Sequence, residues 1–195
     1  MELHVQKLTG NWKEGFALDL HTDYSIPIAP EIGRWDTHRP PIAEELYQLK
    51  YKNDKTKIEI ISTEVANYIS KNCSHWEIDI IVPIPPSDNS RAFQPVYELA
   101  DSIGKKLKIP VDKSCLLKTK STSQLKSIED PDERKKILQG AFDIKLTTLQ
   151  NKNVLLFDDL FRSGETLNTA AEVIIRKGKV KNIYVLTITK TRSKR

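Results

Sequence analysis

Val154-Leu155-Leu156-Phe157-Asp158-Asp159-Leu160-Phe161-Arg162-Ser163-Gly164-Glu165-Thr166 is the stretch that decides how this chain is read. Its four leading apolar residues suit a buried parallel strand. Two aspartates follow, then a polar turn around Gly164, then a helix. In that helix Leu167, Ala170, Ala171, Ile174 and Ile175 fall at i, i+3, i+4, i+7 and i+8, one apolar stripe. Lys177 stands in the last turn and Gly178 supplies the stop. Strand, acidic pair, glycine turn and helix predict an open α/β sheet with a ligand at the carboxyl end of the strand.

The residue types point to a phosphate beside hydroxyl groups. The first N–H groups of a helix have no intrahelical partner, and the helix dipole favours negative charge there. A turn from Arg162 to Thr166 can wrap those donors around a phosphate. Ser163 and Thr166 add hydroxyls, Arg162 adds a guanidinium, and Gly164 lets the backbone approach closely. Two carboxylates would repel a bare phosphate, but they accept hydrogen bonds from sugar hydroxyls. No Gly-x-x-x-x-Gly-Lys precedes the helix, and one glycine does not make a dinucleotide fingerprint. The bland alternative is a buried strand with a polar Asp-Asp turn and a capped helix.

The stretch resembles the phosphoribosyl-pyrophosphate (PRPP) motif of the type I phosphoribosyltransferases: an apolar strand, two acidic residues, then a Thr/Ser-Gly-x-Thr loop. The resemblance implies that Asp158 and Asp159 are the catalytic pair and hold the ribose 2′- and 3′-hydroxyls. It also implies that Arg162, Ser163, Gly164, Glu165 and Thr166 hold the 5′-phosphate. Arg162 and Glu165 depart from the family pattern, which more often has Thr or Asp and a small residue there.

Upstream, Ile78 to Ile84 is a second strong strand, stopped by Pro83-Ile84-Pro85-Pro86 because proline cannot donate to a ladder. Arg91 follows. A helix near Pro95 to Lys108 then carries Val96, Leu99, Ala100, Ile103 and Leu107 on one face. Asp79-Ile80-Ile81-Val82-Pro83-Ile84-Pro85, Arg91 and Phe93-Gln94 resemble the ComF-like branch of the family. So do Leu49-Lys50-Tyr51, Gln124-Leu125, Arg134 and Gly140-Ala141-Phe142. The resemblance covers residues 45 to 191. It implies a pyrophosphate loop made of Pro83, Ile84, Pro85 and Arg91. It also implies a closing loop over 119 to 138, with Lys120 and Gln124 as ligand candidates. ComF-like proteins often begin with a four-cysteine zinc motif, which this chain lacks. The polar run Lys118 to Lys136 suits a lid independently, since it holds too little apolar surface to pack.

Toward the N-terminus, Leu3, Val5 and Leu8 face Phe16 to Leu20 across Thr9-Gly10-Asn11, which predicts a hairpin or ribbon. Ser25 to Pro30 reads as irregular, and Trp35 to Pro41 as a break that opens a helix. Helices are expected at 42–51 and 55–71. Lys50 has two readings, a phosphate ligand or a helix-end lysine complementing the dipole, and the second is favoured. His4, His21, His38 and His75 show no metal spacing, and each reads as a surface or satisfied histidine. His38 is the most suggestive, in a polar, proline-framed setting.

The expected architecture is α/β: a single open, mainly parallel twisted sheet flanked by helices, with an N-terminal β-rich hood. Residues 1–41 form the hood and 42–195 the phosphoribosyltransferase-like core, one compact unit overall. A net charge of +5 favours anionic ligands. No apolar run reaches the roughly 18 residues of a membrane span. The absence of a leader and two unpaired-looking cysteines, Cys73 and Cys115, predict a cytoplasmic protein. Two functions follow. The resemblance implies an enzyme that takes PRPP with Mg²⁺, no metal being held directly by the protein, and transfers the phosphoribosyl group to a nucleophile. The alternative is a non-catalytic binding protein acting as a single-stranded DNA accessory factor of the ComF competence type. It would use the basic surface and the tail Lys190 to Arg195. Monomer and homodimer are both compatible.

Overall fold

A computed structural model describes residues 1–88, 92–119, 140–145 and 149–192. In chain order the elements are β1 (Gln6–Lys7), β2 (Glu14–Leu20), β3 (Tyr24–Ala29), β4 (Arg34–His38), α1 (Pro41–Tyr51), α2 (Lys57–Asn72) and β5 (Ile80–Pro83). There follow α3 (Pro95–Leu107), β6 (Leu116–Lys118), β7 (Phe142–Ile144), β8 (Asn153–Phe161), α4 (Glu165–Gly178) and β9 (Asn182–Lys190). The central sheet has the order β1-β2-β9-β8-β5. β2, β9, β8 and β5 run parallel, and β1 closes the β2 edge antiparallel. The α/β class and the mainly parallel sheet are as the sequence predicts.

The near-continuous apolar runs are explained by burial on both faces. On one face Leu18, Leu155, Phe157, Leu186 and Ile188 meet α1, α2 and α3 through Leu46, Leu49, Val65, Leu99 and Ile103. On the other, Val82, Leu156 and Val185 meet Leu167, Ala170, Ala171 and Ile174 of α4. Trp76 is fully buried, stacked on Tyr184 with ring centroids 4.8 Å apart. Its indole N–H donates to Glu14 at 2.5 Å, so the ring is buried without an orphaned donor.

Four expectations are corrected. β2 is a strand of the central sheet, hydrogen-bonded to β9 over its length, so the first 20 residues are not a hood apart from the core. The separate β unit is the hairpin β3–β4. That hairpin lies where irregular chain is expected from Pro27 and Pro30. A two-stranded ribbon has only edges, and an edge tolerates proline; the register shifts between Pro27 and Ala29. In α4 the buried residues are Leu167, Ala170, Ala171, Val173 and Ile174, while Ile175 is 48% exposed. α4 also includes Gly178, and Lys179 takes the left-handed cap at φ +49°.

Candidate active site

β8 is longer than its neighbour. β5 stops at Pro83, opposite Phe157, because Pro83 and Pro85 end the ladder. β8 and β9 remain paired through Phe161 and Lys190. Asp158 and Asp159 therefore lie inside β8, on the part that projects past β5, rather than after its end. Beyond Phe161 the chain turns through Arg162 and Ser163, both exposed, to Gly164 at φ +80°. A β-carbon on Gly164 would sit 2.7 Å from the Phe161 ring. Among the described residues no side chain caps the N–H groups of the first turn of α4, and its first helical bond runs from the Asn168 N–H to the Gly164 carbonyl. Thr166 and Glu165 are half-buried at that turn.

Asp159 is buried and its carboxylate meets Lys50 Nζ at 2.5 Å. Here the favoured reading of Lys50 as a dipole-complementing lysine is replaced. α1 packs across the sheet so that its last turn lies over β8, and Lys50 becomes the counterion of Asp159. Burial works against the Lys50 charge, but Asp159 and then Asp158 outweigh it and hold the ammonium above its ordinary pKa. Asp158 accepts the Asp159 N–H at 2.8 Å. Its carboxyl is raised well above the usual range, by burial first and by the neighbouring Asp159 charge second.

That shift has a sign for stability. A carboxyl whose folded pKa stands above its unfolded value takes up a proton on folding. Stability of the ligand-free chain is then highest below the unfolded carboxyl range and falls as pH rises through the folded value. Asp158→Asn keeps the acceptor for the Asp159 N–H and removes the charge. It is expected to stabilise the chain at both pH 5 and pH 8, and more at pH 8, because the penalty builds from the unfolded carboxyl value up to the folded one. Thermal unfolding at the two pH values checks this; equal melting shifts would show that Asp158 carries no such strain.

The proline loop packs into the core. Pro83, Ile84 and Pro85 are buried, so their side chains fill the core and only their backbone is available to a ligand. Arg91, Lys120 and Gln124 lie outside the described residues. Among the described residues Lys118 stands at the end of the β6–β7 stem. Its Nζ donates to Ser87 Oγ at 2.9 Å. Burial lowers the Lys118 pKa, and Asp158 opposes that shift. The sequence places Lys118 only at the start of a polar run, and nothing local separates it from the lysines after it.

The histidines also sort differently. His38 is on the exposed hairpin, stacked on Tyr24 and paired with Asp23 at 3.0 Å. His21, just past β2, is the one at the sheet's carboxyl edge. Its Nδ1 meets Thr189 Oγ1 at 3.1 Å, and the Thr189 hydroxyl donates to the Asp159 carbonyl at 3.2 Å. Burial first, then the charges of Lys50 and Arg39, hold the His21 pKa below its ordinary value.

No family model matches the chain. It is 25% identical over 155 residues to the competence protein ComFC of Bacillus subtilis (strain 168), covering 78% of this chain and 61% of that protein. The chain thus spans about three-fifths of the length of that curated relative. Among solved structures, adenine phosphoribosyltransferase of Leishmania tarentolae superposes with a TM-score of 0.50 at 11% identity, covering 96% of this chain and 94% of the other. Adenine phosphoribosyltransferase of Trypanosoma brucei gives 0.49 at 11% identity, over 97% of this chain and 87% of the other. The parallel sheet agrees with the first of these structures: the chain has the type I phosphoribosyltransferase fold, and its sequence is similar to that of ComFC.

Proposed function

We propose that the chain binds PRPP with its Mg²⁺ across the edge from Asp158 to Thr166 and transfers the phosphoribosyl group to a nucleophile, releasing pyrophosphate. The observation that carries this is the juxtaposition of Asp158 and Asp159, projecting past β5, with the uncapped first turn of α4 at Gly164. The turn suits the 5′-phosphate and the carboxylates suit the ribose hydroxyls. Lys50 and Lys118 stand beside the pair, where cations would offset the charge of the departing pyrophosphate. Asp159 is already neutralised by Lys50, and the described residues hold no cluster of three or more metal-ligating side chains. Mg²⁺ enters as part of the substrate, carried by PRPP oxygens. The protein's part is to position the reactants and exclude water. Two free cysteines, Cys73 and Cys115, fit a cytoplasmic setting, and among the described residues no helix is long and apolar enough to cross a membrane.

Calorimetric titration with Mg²⁺ and PRPP tests the reading. A hydrogen bond to a charged group is worth about 1.5–3 kcal/mol, so Asp159→Asn is expected to weaken saturable PRPP binding about tenfold or more. Absence of binding in the parent would overturn the reading. A second reading, single-stranded DNA binding without turnover, is favoured by one observation. The β3–β4 hairpin exposes Tyr24, Ile26, Ile28 and Trp35, each more than half accessible, and aromatic side chains in a basic protein can stack on bases. Salt-sensitive binding of single-stranded DNA together with no PRPP turnover would select it.

A further inference from the structure

A cavity of about 260 Å³ opens beside the carboxyl ends of β2 and β9, lined by His21, Thr22, Asp23, Tyr24, Ser25, Thr191 and Arg192. At the end of β9, Thr189 touches His21 on one side and the backbone carbonyl of Asp159 on the other. The hydrogen bonds define the state of the imidazole. A threonine hydroxyl has one proton, and Thr189 gives it to the Asp159 carbonyl. The contact between Thr189 Oγ1 and His21 Nδ1 then requires Nδ1 to be the donor. In the neutral ring this leaves Nε2 with a bare lone pair, on a histidine that lines the cavity.

The groups that act on the ring are Lys50, Arg39 and Arg162, which disfavour its protonation, and Asp159, which favours it. Of the charged groups in the cavity wall, Asp23 is engaged by His38 at 3.0 Å. Burial is the largest influence, and together with Lys50 and Arg39 it favours the neutral imidazole, which can accept a proton.

We infer that His21 is the proton acceptor for the incoming nucleophile, an N–H group on a small molecule seated between the hairpin and the end of β9. This rests on the reading of the acidic edge as a PRPP site. In the step, the bond from the nucleophile's nitrogen to C1′ forms. The C1′–O bond to pyrophosphate breaks and its electron pair leaves on pyrophosphate. The nucleophile's proton passes to His21 Nε2, and from there to solvent. Thr189 is a positioning residue: it orients the ring and couples it to the strand that carries Asp159.

His21→Asn is the informative variant, because its amide N–H can still donate to Thr189 while the basic nitrogen is gone. The probe is PRPP with Mg²⁺ and water as nucleophile, since hydrolysis also needs a proton acceptor. Nitrogen-15 spectra of the imidazoles, assigned by difference against the variant, should show His21 neutral and protonated on Nδ1 near neutral pH. PRPP affinity should be unchanged in the variant. Its rate of pyrophosphate release should fall about 100-fold. The acid limb that the parent's pH–rate profile shows as His21 protonates should be missing. An imidazolium or an Nε2–H tautomer in the ligand-free chain would overturn the proposal. So would an unchanged rate and profile, or normal PRPP binding with no hydrolysis by the parent. Failure of the parent to bind PRPP at all would instead overturn the PRPP reading, and this inference with it.

Discussion

Lys50→Met is expected to lower the stability of the ligand-free chain by about 3 kcal/mol near neutral pH, the lower end of what losing one partner of a buried ion pair costs. The lower end applies because the Lys50 side chain is 26% exposed, against 11% for Asp159. The methionine keeps most of the apolar stem that packs at the end of α1. What it removes is the ammonium 2.5 Å from Asp159, leaving two carboxylates adjacent on β8. Like charges so close cannot both ionise cheaply, so the variant should regain stability as pH falls and one of the pair takes a proton. Urea unfolding at two pH values measures this. The double variant Lys50→Met/Asp159→Asn should recover most of the loss, because it removes the uncompensated charge as well. If the single and double variants lose equally, the ion pair is a bystander and α1 packing alone explains the cost.

Gly164→Val should have the second large effect, on both fold and ligand. At φ +80° a β-branched residue is a conformational outlier, costing on the order of 1–3 kcal/mol. Its β-carbon would also press on the Phe161 ring from 2.7 Å and on the Asn168 amide from 3.3 Å. Together these should destabilise the chain by about 3 kcal/mol and abolish PRPP binding, since the side chain would occupy the approach to the first turn of α4. Gly33→Ala is the control. Gly33 has a similar φ of +69° but nothing within 4 Å of a new β-carbon, so it reports the conformational cost alone, about 1–2 kcal/mol. Unfolding curves and calorimetry on the two variants separate the terms. Equal costs and intact PRPP binding in Gly164→Val would remove the turn from the site.

β8, the glycine turn and α4 were legible because each rests on local signals: an unbroken apolar run, a glycine where the backbone turns left-handed, and a helical stripe. β5 and its proline stop were legible for the same reason. Ile175 was misplaced because a stripe of five residues is wider than the contact α4 makes, and Val173 takes the inner position instead. Lys50 and His21 were not legible, for a different reason. A lysine in a last helical turn has a sufficient local explanation, and only the packing of α1 over β8 gives it another. His21 gains its meaning from Thr189, 168 positions away, through the parallel pairing of β2 with β9. No local pattern encodes that register. Lys118 likewise acquires a role only when the β6–β7 stem carries it to Ser87. The strand β3 was missed because proline argues against a strand in general, and the argument fails in a ribbon made of edges.

The early end of β5 and the exit of the chain from β2, which ends level with β9 and β8, give the site two doors. β5 ends early on one flank, next to Ser87 and Lys118. On the other flank β2 ends at Leu20 and the chain leaves through His21 into the hairpin. A displacement at carbon needs its two partners on opposite sides of the reacting atom, and the two flanks lie on opposite sides of the β8–β9 pair before any ligand arrives. On the proposed chemistry, traffic through one door need not wait for the other. Arrival of the nucleophile and departure of pyrophosphate then become kinetically independent events, each open to its own gatekeeper.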